Sequence, residues 1–177
     1  MGGKSTRWRT TLAAGIVALA AATSAVAEVR GRNFSSDRWN VSLATPRNWQ
    51  ITEATPYDSV LIAMVTRSPR GTMMLSAQAN DEGLDAPALA HSTAELLAEL
   101  GFETTAPQLH PATGAYWIDI TAPRALIRQA FLAAGDNGYT LTLSAETARD
   151  RAHHLRAFDA VLRSIRVDRA SRAGDDS

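Results

Sequence analysis

The alternation of apolar and polar positions divides the chain into short elements. In "WNVSLATP", Val41 and Leu43 alternate with Ser42 and Ala44 before Pro46 ends the run, which predicts a strand with one buried face. "WQIT" continues it after a turn. "DSVLIAMVTR" is apolar on both phases from Val60 to Val65, the pattern of a strand covered on both faces. "SPRG", residues 68–71, is turn chemistry, and "TMMLSAQA" follows as the hairpin partner. Beyond the loop "NDEGLDAP", Asp85 is a helix N-cap with Pro87 in the first turn. Leu89, Leu96, Leu97 and Leu100 then share one helical face, and Gly101 stops the helix.

The second half repeats the scheme. Tyr116, Ile118 and Ile120 alternate with Trp117, Asp119 and Thr121 up to Pro123. "ALIRQAF" consists of good helix formers, but it leads through Asp136-Asn137-Gly138 into a strict alternation of Tyr139, Leu141 and Leu143 with Thr140, Thr142 and Ser144. A hairpin explains both halves, so Leu126–Leu132 is assigned as a strand. Thr147 and Asp150 have capping-box spacing, and Leu155, Phe158, Val161, Leu162 and Ile165 carry a helix to about Val167. The order β-β-β, α, β-β-β, α predicts an α+β fold, an antiparallel sheet of about six strands flanked by helices. The lead "EVRGRNFSSDR" reads as polar chain without an element of its own.

The first 27 residues stand apart. Lys4, Arg7 and Arg9 precede an uncharged apolar run, and Ala25-Val26-Ala27 has the small-x-small form of a signal peptidase site. This predicts a signal peptide over residues 1–27, a single domain over 28–167 and a disordered tail over 168–177, with the protein exported to the periplasm or the extracellular space. The alternative is a retained anchor, for which the run from Thr10 to Ala27 is short. With no cysteine in the chain, neither a lipid anchor nor a disulfide is expected. Arg7 and Arg9 are separated by Trp8, so export before folding is expected, with no cofactor loaded beforehand.

Charge narrows the partners. The chain holds 18 basic and 18 acidic residues; removing Lys4, Arg7 and Arg9 with the leader leaves 15 against 18. A mildly acidic chain without a basic run lacks the footprint of a nucleic-acid binder.

Few residues offer chemistry. No G-x-S-x-G elbow surrounds a serine, and Ser76 and Ser144 lie in strand patterns. Asp119, an acid inside a strand, could act as a general base with His110, or sit on the solvent phase, or pair with Arg128. His91 and Glu95 stand four apart on the first helix, at most half a metal site, and the histidines are otherwise dispersed. The glycines are isolated at element boundaries and build no phosphate loop. Trp39, Trp49 and Trp117 are numerous for this length, and Trp117 with Trp49 defines a candidate ligand groove. In "DRAHHLRAF" the adjacent histidines point about 100° apart on a helix. His154 turns to the core margin, while His153 joins Arg149, Arg156 and Arg163 in a basic stripe that could meet an acidic partner.

Several patches together carry a family resemblance. "VSLATPRNW", "RQAFLAAGDNGYTLTLSA" and "FDAVLRSIRV", with Phe158, Leu162 and Ser164, resemble the opening strand, the paired strands and the final helix of domains with the fold shared by the PsbP photosystem extrinsic protein and the Mog-type Ran-binding protein. The resemblance covers nearly all of the mature chain. It implies a six- or seven-stranded antiparallel sheet flanked by helices, in a superfamily of mostly non-catalytic extrinsic subunits, assembly factors and binding proteins, and it supplies no catalytic residues to carry over. The expected function is an exported, non-catalytic accessory protein that contacts a protein partner in the cell envelope, in assembly, stabilisation or stress protection. Arg149, His153, Arg156, Arg163, Trp117 and Trp49 are its candidate binding residues, with no metal and no cofactor. The alternatives are a small-molecule or lipid-binding module at Trp117 and Trp49, and a hydrolase around Asp119 and His110.

Overall fold

The computed structural model describes residues 27–52 and 59–167. The expected leader, apart from Ala27, and the expected tail lie outside these described residues. The fold is α+β and every strand pair is antiparallel, as expected, but the strands are twelve among the described residues and form two sheets.

The smaller sheet begins where the sequence promised nothing. β1 (Ala27–Arg30) and β2 (Asn33–Ser36) form a hairpin around Gly31, whose φ of 62° suits a turn glycine. β2 then pairs with β3 (Val41–Ala44). The lead looked polar because this hairpin buries few side chains; Phe34, at 1% exposure, is the large one.

The larger sheet runs β4 (Gln50–Thr52), β5 (Val60–Arg67), β6 (Arg70–Ala79), β11 (Asn137–Ala145), β10 (Ala125–Ala134), β9 (Tyr116–Ala122) and β7 (Glu103–Thr104), with β8 (Gln108–Leu109) also on β9. The strand assignment for Leu126–Leu132 holds, because pairing with β9 and β11 on both sides outweighs helix propensity. The turn falls earlier than read: Gly135 takes the positive φ, while Gly138 is a strand residue whose missing side chain admits Leu89. β7 and β8, two residues each, are too short to leave a periodic signal.

The two phases of the central strands feed two cores. Met73, Leu75, Tyr139, Leu141 and Leu143 face Phe158, Val161 and Leu162 of α2 (Ala148–Ser164), together with Phe34, Val41 and Leu43 of the smaller sheet. On the other side, Ile118, Ile120 and Phe131 face Leu89 and Ala90 of α1 (Ala86–Glu99). The caps are as expected. The Asp85 carboxylate accepts from the Ala88 N–H at 2.9 Å, and the Thr147 hydroxyl accepts from the Asp150 N–H at 3.1 Å. After α1, Gly101 and Phe102 donate back to Ala98 and Leu97, which satisfies the last carbonyls. Leu100, assigned to the buried face, is exposed at this end, and Thr93 takes the inward position.

The final helix stops at Ser164, short of the expected Val167. The Ser164 hydroxyl donates to the Val161 carbonyl at 2.7 Å and accepts from the Ala44 N–H at 3.0 Å, joining helix end to β3. Ile165 turns extended, and β12 (Arg166–Val167) completes the smaller sheet against β3. Ile165 continued the helical apolar spacing of α2, so the sequence placed this change too late. Tyr139 ties the sheets again: its hydroxyl donates to the Trp39 carbonyl at 2.7 Å. Burial raises its pKa above 10, against the opposing hydrogen bond with Asn137.

Two outcomes follow. Phe34→Ala should lower stability in urea unfolding by about 3–5 kcal/mol, the cost of truncating a core phenylalanine; a change near zero would show that the first hairpin is not part of the core. Because the folded state holds the Tyr139 proton more tightly than the unfolded chain, its contribution is full below pH ~10 and is lost as pH rises through the folded-state value. Tyr139→Phe should therefore flatten the alkaline limb of a stability-against-pH curve.

Candidate functional site

Asp119 and His110 do not come together as a catalytic pair. The Asp119 carboxylate accepts from Arg128 Nε at 2.8 Å and Nη2 at 2.9 Å, and Arg151 Nη1 of α2 lies 3.2 Å from it. This is the pairing with Arg128 that the strand register allows, since the two residues are cross-strand partners. The Arg128 guanidinium also lies 3.7 Å from the centre of the Trp117 ring. His110 has separate contacts: its Nδ1 is 3.0 Å from the Thr113 hydroxyl and its Nε2 is 3.8 Å from Asp159 of α2. Each acid is thus used to hold α2 against the sheet. Ser76 and Ser144 lie on β6 and β11 as ordinary strand residues. His91 and Glu95 are exposed on α1, and among the described residues no three His, Asp or Glu side chains are grouped to hold a metal.

Trp117 and Trp49 occupy different places. Trp117 is half-buried on β9 beneath Arg128, and Trp49 precedes β4 at the opposite edge of the sheet, with β5, β6, β11 and β10 in between. Four strands thus separate the two residues expected to share a groove. Trp117 packs, partly buried, against the larger core.

Trp49 instead meets the basic stripe. A cleft of about 480 Å³ opens between α2 and the edge of the sheet, lined by Arg47, Trp49, Ser68, His153, His154 and Arg156 among others, with no carboxylate. The turn Pro46–Trp49 builds one wall. Trp49 N–H donates to the Pro46 carbonyl at 3.3 Å, and Asn48 takes a φ of 67°, a conformation that Asn tolerates better than most residues. This turn sets Arg47 and Trp49 on the cleft, and α2 brings His153 and Arg156 to the other side.

The floor is set by a close approach. His154, 3% exposed, packs edge-on to the Trp49 ring with centroids 5.1 Å apart. Its ring lies directly on Gly71 of β6: a side-chain carbon there would stand 2.6 Å from Cδ2 and 2.7 Å from Nε2. His154 Nε2 is buried without a hydrogen-bond partner among the described residues. The sequence marked Gly71 only as part of a turn, and its role as the seat for His154 was not visible there. The core-margin position of His154 was.

Of the six candidate residues, the structure brings together Trp49, His153 and Arg156. Arg149 and Arg163 continue the exposed stripe one turn or more away, with Arg163 Nε donating to the Asp159 carbonyl at 3.3 Å. Arg47 was missed; its signal was its place in "TPRNW", between a proline and an asparagine that close a turn. Among the described residues, no carboxylate pairs with Arg47, Arg149, Arg156 or Arg163.

No protein-family model and no curated protein sequence matches the chain. Solved structures do. The chain is similar to cyanobacterial PsbP (CyanoP) from Synechocystis sp. PCC 6803, at 12% identity and a TM-score of 0.51, covering 86% of this chain and 99% of that one. It is also similar to the Saccharomyces cerevisiae Ran-binding protein Mog1p, at 9% identity and a TM-score of 0.54, covering 79% of this chain and 96% of that one. The chain therefore has the PsbP/Mog-like fold that its sequence patches resembled.

The seat of His154 is open to test. Gly71→Ala should force the ring off β6 and lower stability by about 1–3 kcal/mol, the range for overpacking a filled site, with a change in Trp49 fluorescence. An unchanged melting temperature would mean that α2 is not held by this contact.

Proposed function

We propose that this chain is an exported, non-catalytic accessory protein that acts by contact with a protein partner in the cell envelope, in the assembly, stabilisation or stress protection of a membrane-associated complex. The observation that carries this reading is the distribution of charge on α2. Arg151 on its inner side is neutralised within the fold by Asp119, while Arg149, Arg156 and Arg163 with His153 are exposed and form no ion pair among the described residues. An unpaired basic stripe on a firmly docked helix suits recognition by a partner, since charged rims steer encounter and fix orientation. The solved structures with this fold include one described as a Ran-binding protein, a role carried by protein contact, which supports the same class of function. Export rests on the leader pattern, and cleavage after Ala27 would remove only the first rung of the β1–β2 pairing.

Two measurements test the reading. The full chain, expressed in a Gram-negative host, should be recovered from the periplasm with Glu28 as its first residue; retention in the cytoplasm with the leader intact would remove the export half. A photo-crosslinking residue at Ala152, exposed on α2, should give a discrete adduct with an envelope protein, whereas one at Ser92, exposed on α1, should not. Arg149→Glu with Arg156→Glu should abolish that adduct. Equal adducts from both positions, or adducts indifferent to the charge reversal, would overturn the contact surface.

A further inference from the structure

The cleft beside Trp49 has a chemistry narrower than that of the basic stripe. Arg47 and Arg156 reach it from two different elements, a tight turn and a helix, and His153 joins Arg156 from α2. Asn48, Thr66 and Ser68 add neutral polar groups. Trp49, Ala152 and Ala157 supply an apolar side. Two guanidinium groups without a carboxylate among the lining residues form an oxyanion receptor, because the planar fork of arginine matches a carboxylate or phosphate with two parallel hydrogen bonds.

Size and backbone geometry separate these two anions. A volume of 480 Å³ corresponds to about sixteen waters at liquid density, several times what a single phosphate needs. Phosphate cradles draw on free backbone N–H groups at a helix start. Here the α2 residues on the cleft are 152–157, inside the helix, where the backbone donors are already committed. At the start of α2, the Asp150 N–H is taken by the Thr147 hydroxyl. Recognition thus falls to side chains around an aromatic wall, which suits a peptide carrying both acids and an apolar residue.

We infer that the cleft receives an acidic segment of the protein partner, with carboxylates on Arg47 and Arg156 and a neighbouring apolar side chain against Trp49. This rests on the protein-contact reading above and names the chemistry of the contact. The Trp49 ring is already held on one side by His154 over Gly71, so the wall is formed before the segment arrives. Arg149 and Arg163, outside the cleft, extend the same charge preference along the helix without contributing to the pocket.

The test uses the mature protein alone, so that it stands apart from partner capture. A capped hexapeptide of alternating Glu and Leu is titrated against it, with the Gln-for-Glu counterpart as the neutral control, and binding is followed by fluorescence anisotropy and by the NMR signals of the Trp49 indole and the His153 ring. The acidic peptide should bind and shift these signals, leaving Trp117 unmoved. The neutral peptide should bind at least about tenfold more weakly, and Arg47→Gln or Arg156→Gln should each weaken the acidic peptide by a similar factor. Binding should also fall as ionic strength rises to about 0.15 M. Unchanged melting temperatures would show that these exposed substitutions leave the fold intact. Equal binding of the neutral peptide, indifference to both arginine substitutions, or signals confined to Trp117 would overturn the inference. Inorganic phosphate that reproduced the same shifts and displaced the peptide at equal concentration would make this a free-oxyanion site and overturn it too. An adduct from Ala152 together with a failed peptide titration would leave the partner reading standing without this chemistry.

Discussion

The structure depends on one constraint: the long strands of the larger sheet have two phases, one side covered by α2 and the smaller sheet, the other covered by α1 over β7, β9 and β10. In β11, Tyr139, Leu141 and Leu143 point to α2 and the smaller sheet, and Gly138 with Thr140 and Thr142 points to the side of α1. A period of two assigns each phase to one side, so a slip of one residue would exchange every contact at once. The two helices cannot compete for the same face. α1 takes Ile118, Ile120 and Phe131, and α2 takes the larger core.

The placement of α2 has consequences for the surface. Its inner side is fixed by apolar packing and by four separate polar or steric devices: Arg151 on Asp119, Asp159 near His110, Ser164 on β3 and His154 on Gly71. The Asp119–Arg128 pair is only about one-sixth exposed, and its two parallel hydrogen bonds make removal of either partner more costly than an exposed pair would be. Because these devices use the acids near the helix, the outward arginines are left without a carboxylate partner among the described residues. The basic stripe is thus a by-product of how the helix is held as much as a property of its own sequence.

Legibility in the sequence followed the strength of the local pattern. The long alternating strands, both helix caps and the strand identity of Leu126–Leu132 could be read, because period and turn chemistry agreed. The β1–β2 hairpin could not, since Phe34 is the single large apolar residue it contributes to the core. The end of α2 was masked by Ile165, whose apolar spacing continued a helix that the Ser164 hydroxyl interrupts. At the candidate site, the divergence of His153 from His154 was readable from helical geometry alone. The meeting of Arg47 with Arg156 was not, because it depends on the Asn48 turn and on contacts between residues about a hundred positions apart.

The same bookkeeping of charges bears on what kind of site this molecule offers. A catalytic acid or base needs a proton-transfer partner and a reacting atom within reach. Asp119 is instead held between two guanidinium groups, those of Arg128 and Arg151. His110 lies against Thr113 and Asp159 in a structural role. The outer side of α2 and the Arg47–Trp49 turn bring guanidinium and aromatic groups together at one cleft. Arginine and tryptophan are the residues most often found at the energetic centres of protein interfaces, because each combines a large contact area with a directed polar group. In this fold the half-buried acid Asp119 is held by Arg128 and Arg151, while Arg47, Arg149, Arg156 and Arg163 make no ion pair among the described residues.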